Sequence, residues 1–138
     1  MVGVLLITHD GIGEALLAGA AHVLGGAPAN ARAIAVGAGD DVGVVEARAR
    51  AALAAVDDGT GVMVLADVYG ATPSNIGARL LSPGRVAGIA GVSLPMLVRV
   101  LASRALPLDQ VLTRALDAGS RGQVNMGEDA CHGTAGRG

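Results

Sequence analysis

The sequence contains no phenylalanine, no tryptophan and no lysine, and it holds a single tyrosine, Tyr69, and a single cysteine, Cys131. Without large aromatics, a core has to be assembled from Val, Leu, Ile, Ala and Met, side chains suited to close packing of helices on a sheet. One cysteine rules out an internal disulfide and fits a reducing compartment. All ten basic residues are arginine, and twelve acids leave a net charge of −2, so there is no basic field to hold nucleic acid. No apolar run approaches the roughly 20 residues of a membrane span. The first apolar stretch has no basic residues ahead of it and ends in Thr8-His9-Asp10 rather than at a cleavage site. The expectation is one soluble, cytoplasmic domain without direct membrane insertion; at 138 residues it can bury roughly 68% of the surface of its unfolded chain.

What is present is a regular alternation. Short continuous runs rich in Val and Ile occur at Val2–Thr8, Ala31–Val36, Gly61–Ala66 and Val86–Val92. They read as strands covered on both faces. Helical patterns lie between them. Ile12, Ala15, Leu16, Ala20, Val23 and Leu24 share one helical face, and Val42, Val45, Ala49, Leu53 and Val56 share another. "TPSNIGARLL" offers Thr72 as an N-cap with Pro73 at the first helical position. "LPMLVRVLASR" and "LPLDQVLTRALDAG" repeat the proline start, and Gly119 is placed to stop the last helix. The order strand, helix, strand, helix predicts an α/β fold, a doubly wound parallel sheet, expected in the common order 2-1-3-4. "QVNM" (123–126) reads as one more short strand, and the Gly-rich residues 127–138 as a flexible tail.

In such a sheet ligands bind beyond the carboxyl ends of the strands, at the point where strand order reverses, here between the first and third strands. His9 stands just past the end of the first, and Asp67 follows the third immediately. A carboxylate that accepts a hydrogen bond from one ring nitrogen fixes the tautomer and frees the other nitrogen as a nucleophile. If that nitrogen takes a phosphoryl group, the loop after Asp67 can meet its charge. Gly70 allows close backbone approach, Thr72 offers a hydroxyl, and the helix starting at Pro73 offers unpaired N–H groups.

"LLITHDGIGEALL", "GVMVLADVYGATPSN" and "VAGIAGVSLPML" together resemble the enzyme IIA component of the mannose-type sugar phosphotransferase system, from Val2 to about Met126. The resemblance implies a phosphotransferase that accepts phosphate on His9 from the histidine-containing phosphocarrier protein and passes it to a IIB component. Asp67 becomes the orienting partner, and Gly70, Ala71, Thr72 and Ser74 the phosphate contacts, with no metal and no cofactor. It also implies a homodimer in which the 123–126 strand crosses to lie antiparallel on the partner's sheet edge, and a domain spanning 1–126. The sequence ends without a IIB domain, which points to a separate acceptor. Asp10 departs from the family, which commonly has a small residue there, and puts a negative charge near an incoming phosphate. A regulatory module read by its phosphorylation state, or the phosphocarrier subunit of dihydroxyacetone kinase, are the alternatives on the same domain.

Other residues carry plainer readings. "AVGAGDDVG" after the second strand has glycines at the wrong spacing for a dinucleotide fingerprint and reads as a strand-to-helix turn. His22 reads as solvent-facing, Tyr69 as either a site shield or a surface residue, and Cys131-His132 as a tail pair lacking further metal ligands.

Overall fold

A computed structural model describes residues 1–128 of the chain. The elements, in order, are β1 (Gly3–His9), α1 (Ile12–Leu24), β2 (Ala31–Val36), α2 (Val42–Val56), β3 (Val62–Ala66), α3 (Thr72–Leu80), β4 (Val86–Ala90), α4 (Leu94–Ala102) and α5 (Leu108–Arg121). The four strands form one parallel sheet in the expected order β2-β1-β3-β4.

The two faces of the sheet are packed separately, because successive strand residues point to opposite sides. Val4 and Leu6 of β1 with Met63 and Leu65 of β3 meet α1, α4 and α5 through Ala20, Leu97, Val100, Val111 and Ala115. Leu5 and Ile7 with Val62 and Val64 meet α2 and α3 through Val45, Ala49, Val56, Ile76 and Leu80. The central strands β1 and β3 are therefore buried along nearly their whole length, whereas the edge strands β2 and β4 are only partly covered. Arg104 helps to seat the start of β1. Its carbonyl accepts the Val2 N–H at 2.9 Å, and its buried guanidinium donates to the Ala29 carbonyl at 2.5 Å.

Four expectations need correction. Thr72 is not an N-cap: α3 begins one residue earlier than the proline suggests, with Ala71 as its N-cap and no side-chain cap. Gly119 does not stop the last helix, which runs on to Arg121. A side chain at 119 would meet the Met96 Cε at 2.6 Å, so this glycine serves helix packing. The apolar face expected for α1 is narrower than the periodicity suggests. Ala20 is buried and Leu16 and Leu17 pack on the core, while Ile12, Val23 and Leu24 are exposed. Finally, Gln123–Asn125 form no strand, and Met126 starts a short helical turn within the single chain. Most of the expected tail, with Cys131 and His132, lies outside the described residues.

The approach of α2 to β1 leaves no room at Gly3, where an added Cβ would stand 2.1 Å from the Val56 carbonyl oxygen. That neighbour is backbone and cannot turn aside. Gly3→Ala is expected to lower stability by about 1–3 kcal/mol, measured as a lower midpoint in urea unfolding; an unchanged midpoint would contradict this packing.

Candidate functional site

Parallel pairing of β1 with β3 sets Ile7 opposite Ala66. β3 ends there while β1 runs two residues further along β2, and at this carboxyl end His9 and Asp67 meet. His9 is the last residue of β1 rather than the first beyond it. One carboxylate oxygen, Asp67 Oδ2, lies 2.8 Å from His9 Nδ1 and also accepts the His9 backbone N–H at 3.0 Å. The same residue thus holds both ring and main chain of the histidine. The side chain of His9 is 45% exposed and that of Asp67 only 12%, so the carboxylate is the buried anchor and the ring is the presented surface.

The electrostatics follow from that difference. Burial pushes the Asp67 carboxyl upward, but the hydrogen bonds from the His9 ring and the His9 N–H outweigh it and hold the group below the ordinary aspartate value. Asp67 Oδ1 is buried and has no partner among the described residues. Such an atom is costly, which makes the double engagement of Oδ2 the interaction that keeps a carboxylate here at all. With Nδ1 engaged, the lone pair or proton of Nε2 is left to face solvent.

The turn after His9 is built tightly. Buried Thr8 accepts the Gly13 N–H through its Oγ1 at 2.8 Å, which ties the first turn of α1 to the end of β1. An added Cβ at Gly13 would stand 3.1 Å from that same oxygen. Asp10 adopts φ +40°, with its N–H donated to the Val36 carbonyl at 3.1 Å. A non-glycine residue in this conformation costs on the order of 1 kcal/mol, least for Asp and Asn.

Three helices begin around the histidine. α1 and α3 have no side-chain cap, while Asp41 caps α2 by accepting the Val44 N–H at 3.1 Å. Uncapped helix N-termini offer N–H groups and partial positive charge to an anion. His9, Asp10 and Thr72 line one open groove together with Val36, Gly37, Ala38, Gly39, Asp40 and Val42. Its volume is about 260 Å³, below the roughly 300–1,000 Å³ of pockets that enclose small-molecule ligands. The groove suits a small group held at the surface better than an enclosed substrate.

The expected phosphate contacts divide. Thr72 shares the groove with His9, and its hydroxyl is not consumed by capping. Gly70 adopts φ +85° and donates its N–H to Ser74 Oγ at 2.9 Å, and Ser74 in turn donates to the Ala71 carbonyl at 3.0 Å. Ser74 therefore closes the loop on itself, its hydroxyl is engaged there, and it does not line the groove. Tyr69, 86% exposed, stands on this loop and does not line the His9 groove. His22 is exposed on α1, as expected.

Sequence reasoning missed two contributions. Thr8 reads as the polar end of a strand, and only its burial reveals that it latches α1. The loop 37–40 reads as a plain turn, which it is, but the neighbouring position of β2 makes it a wall of the groove.

No protein of curated function matches the chain at a significant level. Among solved structures, it is similar to phosphotransferase system component EIIA from Streptococcus agalactiae (TM-score 0.82, 20% identity, covering 93% of this chain and 99% of that one). It is also similar to the mannose/sorbose specific IIA subunit of the phosphotransferase system from Enterococcus faecalis (0.80, 23%, 91% and 94%). A third is the PTS IIA protein associated with the fucose utilization operon of Streptococcus pneumoniae (0.78, 21%, 94% and 99%). At these identities the likeness is one of fold. The sequence model of the PTS system fructose IIA component matches residues 3–114, most of the chain and all of the groove. The chain therefore belongs to the fructose- and mannose-type IIA family of the phosphotransferase system.

Proposed function

We propose that this chain carries a phosphoryl group on His9 Nε2, taken from the histidine-containing phosphocarrier protein and handed to a IIB component. The observation that carries the reading is the 2.8 Å contact between His9 Nδ1 and Asp67 Oδ2. With the Asp67 carboxylate ionised, this contact supports a proton on Nδ1 and an Nε2 lone pair as the nucleophile. As Nε2 attacks phosphorus, the bond from phosphorus to the donor's ring nitrogen breaks. The His9 ring becomes cationic while keeping its Nδ1 proton, and Asp67 faces that charge. No proton has to leave, and the reverse of the same step releases the group to the acceptor.

The rest of the site serves position and charge, which is most of what phosphoryl transfer asks of a protein. Thr72 and the uncapped starts of α1 and α3 are the groups proposed to meet the phosphoryl oxygens. Gly70, Ala71 and Ser74 act one step back, holding the loop that presents Thr72. No helix among the described residues is long and apolar enough to cross a membrane, and the sugar itself is not a ligand of this domain in the proposed cycle.

The proposal extends to a homodimer. β4 is an edge strand whose outer backbone is paired at Val86, with Ser82, and at no other residue in a bridge among the described residues; edges of this kind pair readily with another chain. Val124 and Met126, both exposed in the single chain, follow α5 within reach of a partner. Exchange of this segment between two copies would cover both edges at once.

Incubation with phosphoenolpyruvate, enzyme I and the phosphocarrier protein is expected to label the wild-type chain with an acid-labile, base-stable phosphate. His9→Ala is expected to abolish the label; stoichiometric labelling of that variant would overturn the assignment. Asp67→Ala should fold and still accept phosphate, but about 10²–10⁴-fold more slowly, because the ring loses its tautomer lock; transfer at the wild-type rate would reduce Asp67 to a turn residue. Truncation after Gly122, just past α5, should shift the protein from dimer toward monomer in sedimentation velocity. A full-length chain that sediments as a monomer at micromolar concentration would refute the exchange.

A further inference from the structure

We infer that Asp10 sets the phosphoryl-transfer potential of His9: its carboxylate, on a residue that lines the same groove as the ring, lowers the phosphorylated share of the chain at equilibrium and so favours onward transfer. The inference rests on the reading of His9 as a phosphoryl carrier and concerns how firmly that carrier holds its load.

The backbone supplies the first observation. Nine described residues have a positive φ, and seven of them are glycines; Asp10 and Asn30 are the exceptions. A glycine at position 10 would make the same turn without strain. Instead the left-handed position next to the histidine bears a charge, and the glycine is displaced to position 11, where φ is −85° and an added Cβ would meet nothing within 4 Å. The N–H of Asp10 is bonded to the Val36 carbonyl, which anchors the backbone of the residue where β1 ends.

The second observation is the composition of the groove. Beside His9 it is lined by two carboxylates, Asp10 and Asp40, and by no arginine. Asp40 is drawn into its own loop by the Gly37 N–H at 2.7 Å, whereas Asp10 is exposed and makes no side-chain hydrogen bond among the described residues. A phosphoryl group brings a charge approaching −2. The uncapped starts of α1 and α3 attract it, and Asp67 balances only the ring. The Asp10 carboxylate is thus an unbalanced repulsive charge next to the product, an interaction that exists in the phosphorylated state and vanishes when the group leaves.

The test is the equilibrium constant for exchange with the purified phosphocarrier protein, read by intact-protein mass spectrometry. The constant compares free species, so any effect of Asp10 on docking cancels. Asp10→Asn removes the charge but keeps the size and the tolerance for the left-handed conformation. Asp10→Gly relieves the turn altogether and guards against misfolding of the first variant. Both are expected to raise the equilibrium phosphorylation constant roughly three- to tenfold at low salt, with Asp10→Glu near wild type. The difference should shrink between about 0.01 M and 1 M ionic strength, where the screening length falls from about 30 Å to about 3 Å. A residue needed only for the turn would leave all these constants equal at every salt concentration. If wild type is labelled on His9 and the variants share its constant, the inference on Asp10 fails and the carrier reading stands. If wild type takes no phosphate on His9, both fall.

Discussion

One carboxylate oxygen organises this molecule. Asp67 Oδ2 receives a ring nitrogen and a backbone N–H from the same histidine, and that double acceptance explains much of the surrounding architecture. It requires β1 and β3 to be neighbours although β2 lies between them in sequence. It requires the parallel register that sets Ile7 against Ala66, because a slip of one residue would turn both side chains to the wrong faces. It requires β1 and β3 to be stiff, and both are buried between two helical layers. The aliphatic composition serves the same end. Helices come close enough that a side chain at Gly3 would collide with the Val56 carbonyl, and one at Gly13 or Gly77 would be tightly packed, so the strand ends are correspondingly fixed.

Parts of this were readable in the sequence because they are local or topological. Continuous Val- and Ile-rich runs separated by amphipathic segments leave few arrangements besides a parallel sheet, and right-handed crossovers then place the ends of β1 and β3 together. His9 and Asp67 stand at those ends, so their meeting could be argued without coordinates. The family resemblance sharpened the chemistry but was not needed to bring the pair together.

The features that escaped are those decided by neighbours distant in sequence. Thr72 and Pro73 carry ordinary helix-start signals, yet the start of α3 is set by the Gly70–Ser74 closure of the loop, which moves the boundary by one residue. Gly119 looks like a helix stop, but α5 packs on α4 and the glycine makes room for Met96. The α1 pattern overstates the buried stripe because the helix rests on only part of its apolar surface, leaving Ile12 and Val23 outside. Nothing within the 37–40 loop says that a histidine from another strand lies across from it. In each case the residue types were correct for a local role, and tertiary contact chose another.

The scarcity of aromatic residues has an optical consequence. With no tryptophan and a single tyrosine, all near-ultraviolet absorption and emission of the chain originates at Tyr69. That ring stands free in solvent on the loop that joins Asp67 to α3. The molecule thus carries one native fluorophore, and it sits on an exposed loop three residues before Thr72 rather than in the core. Its emission is blind to the packing of the interior and responsive to whatever comes to rest against the loop, which makes the unlabelled protein its own gauge of encounter.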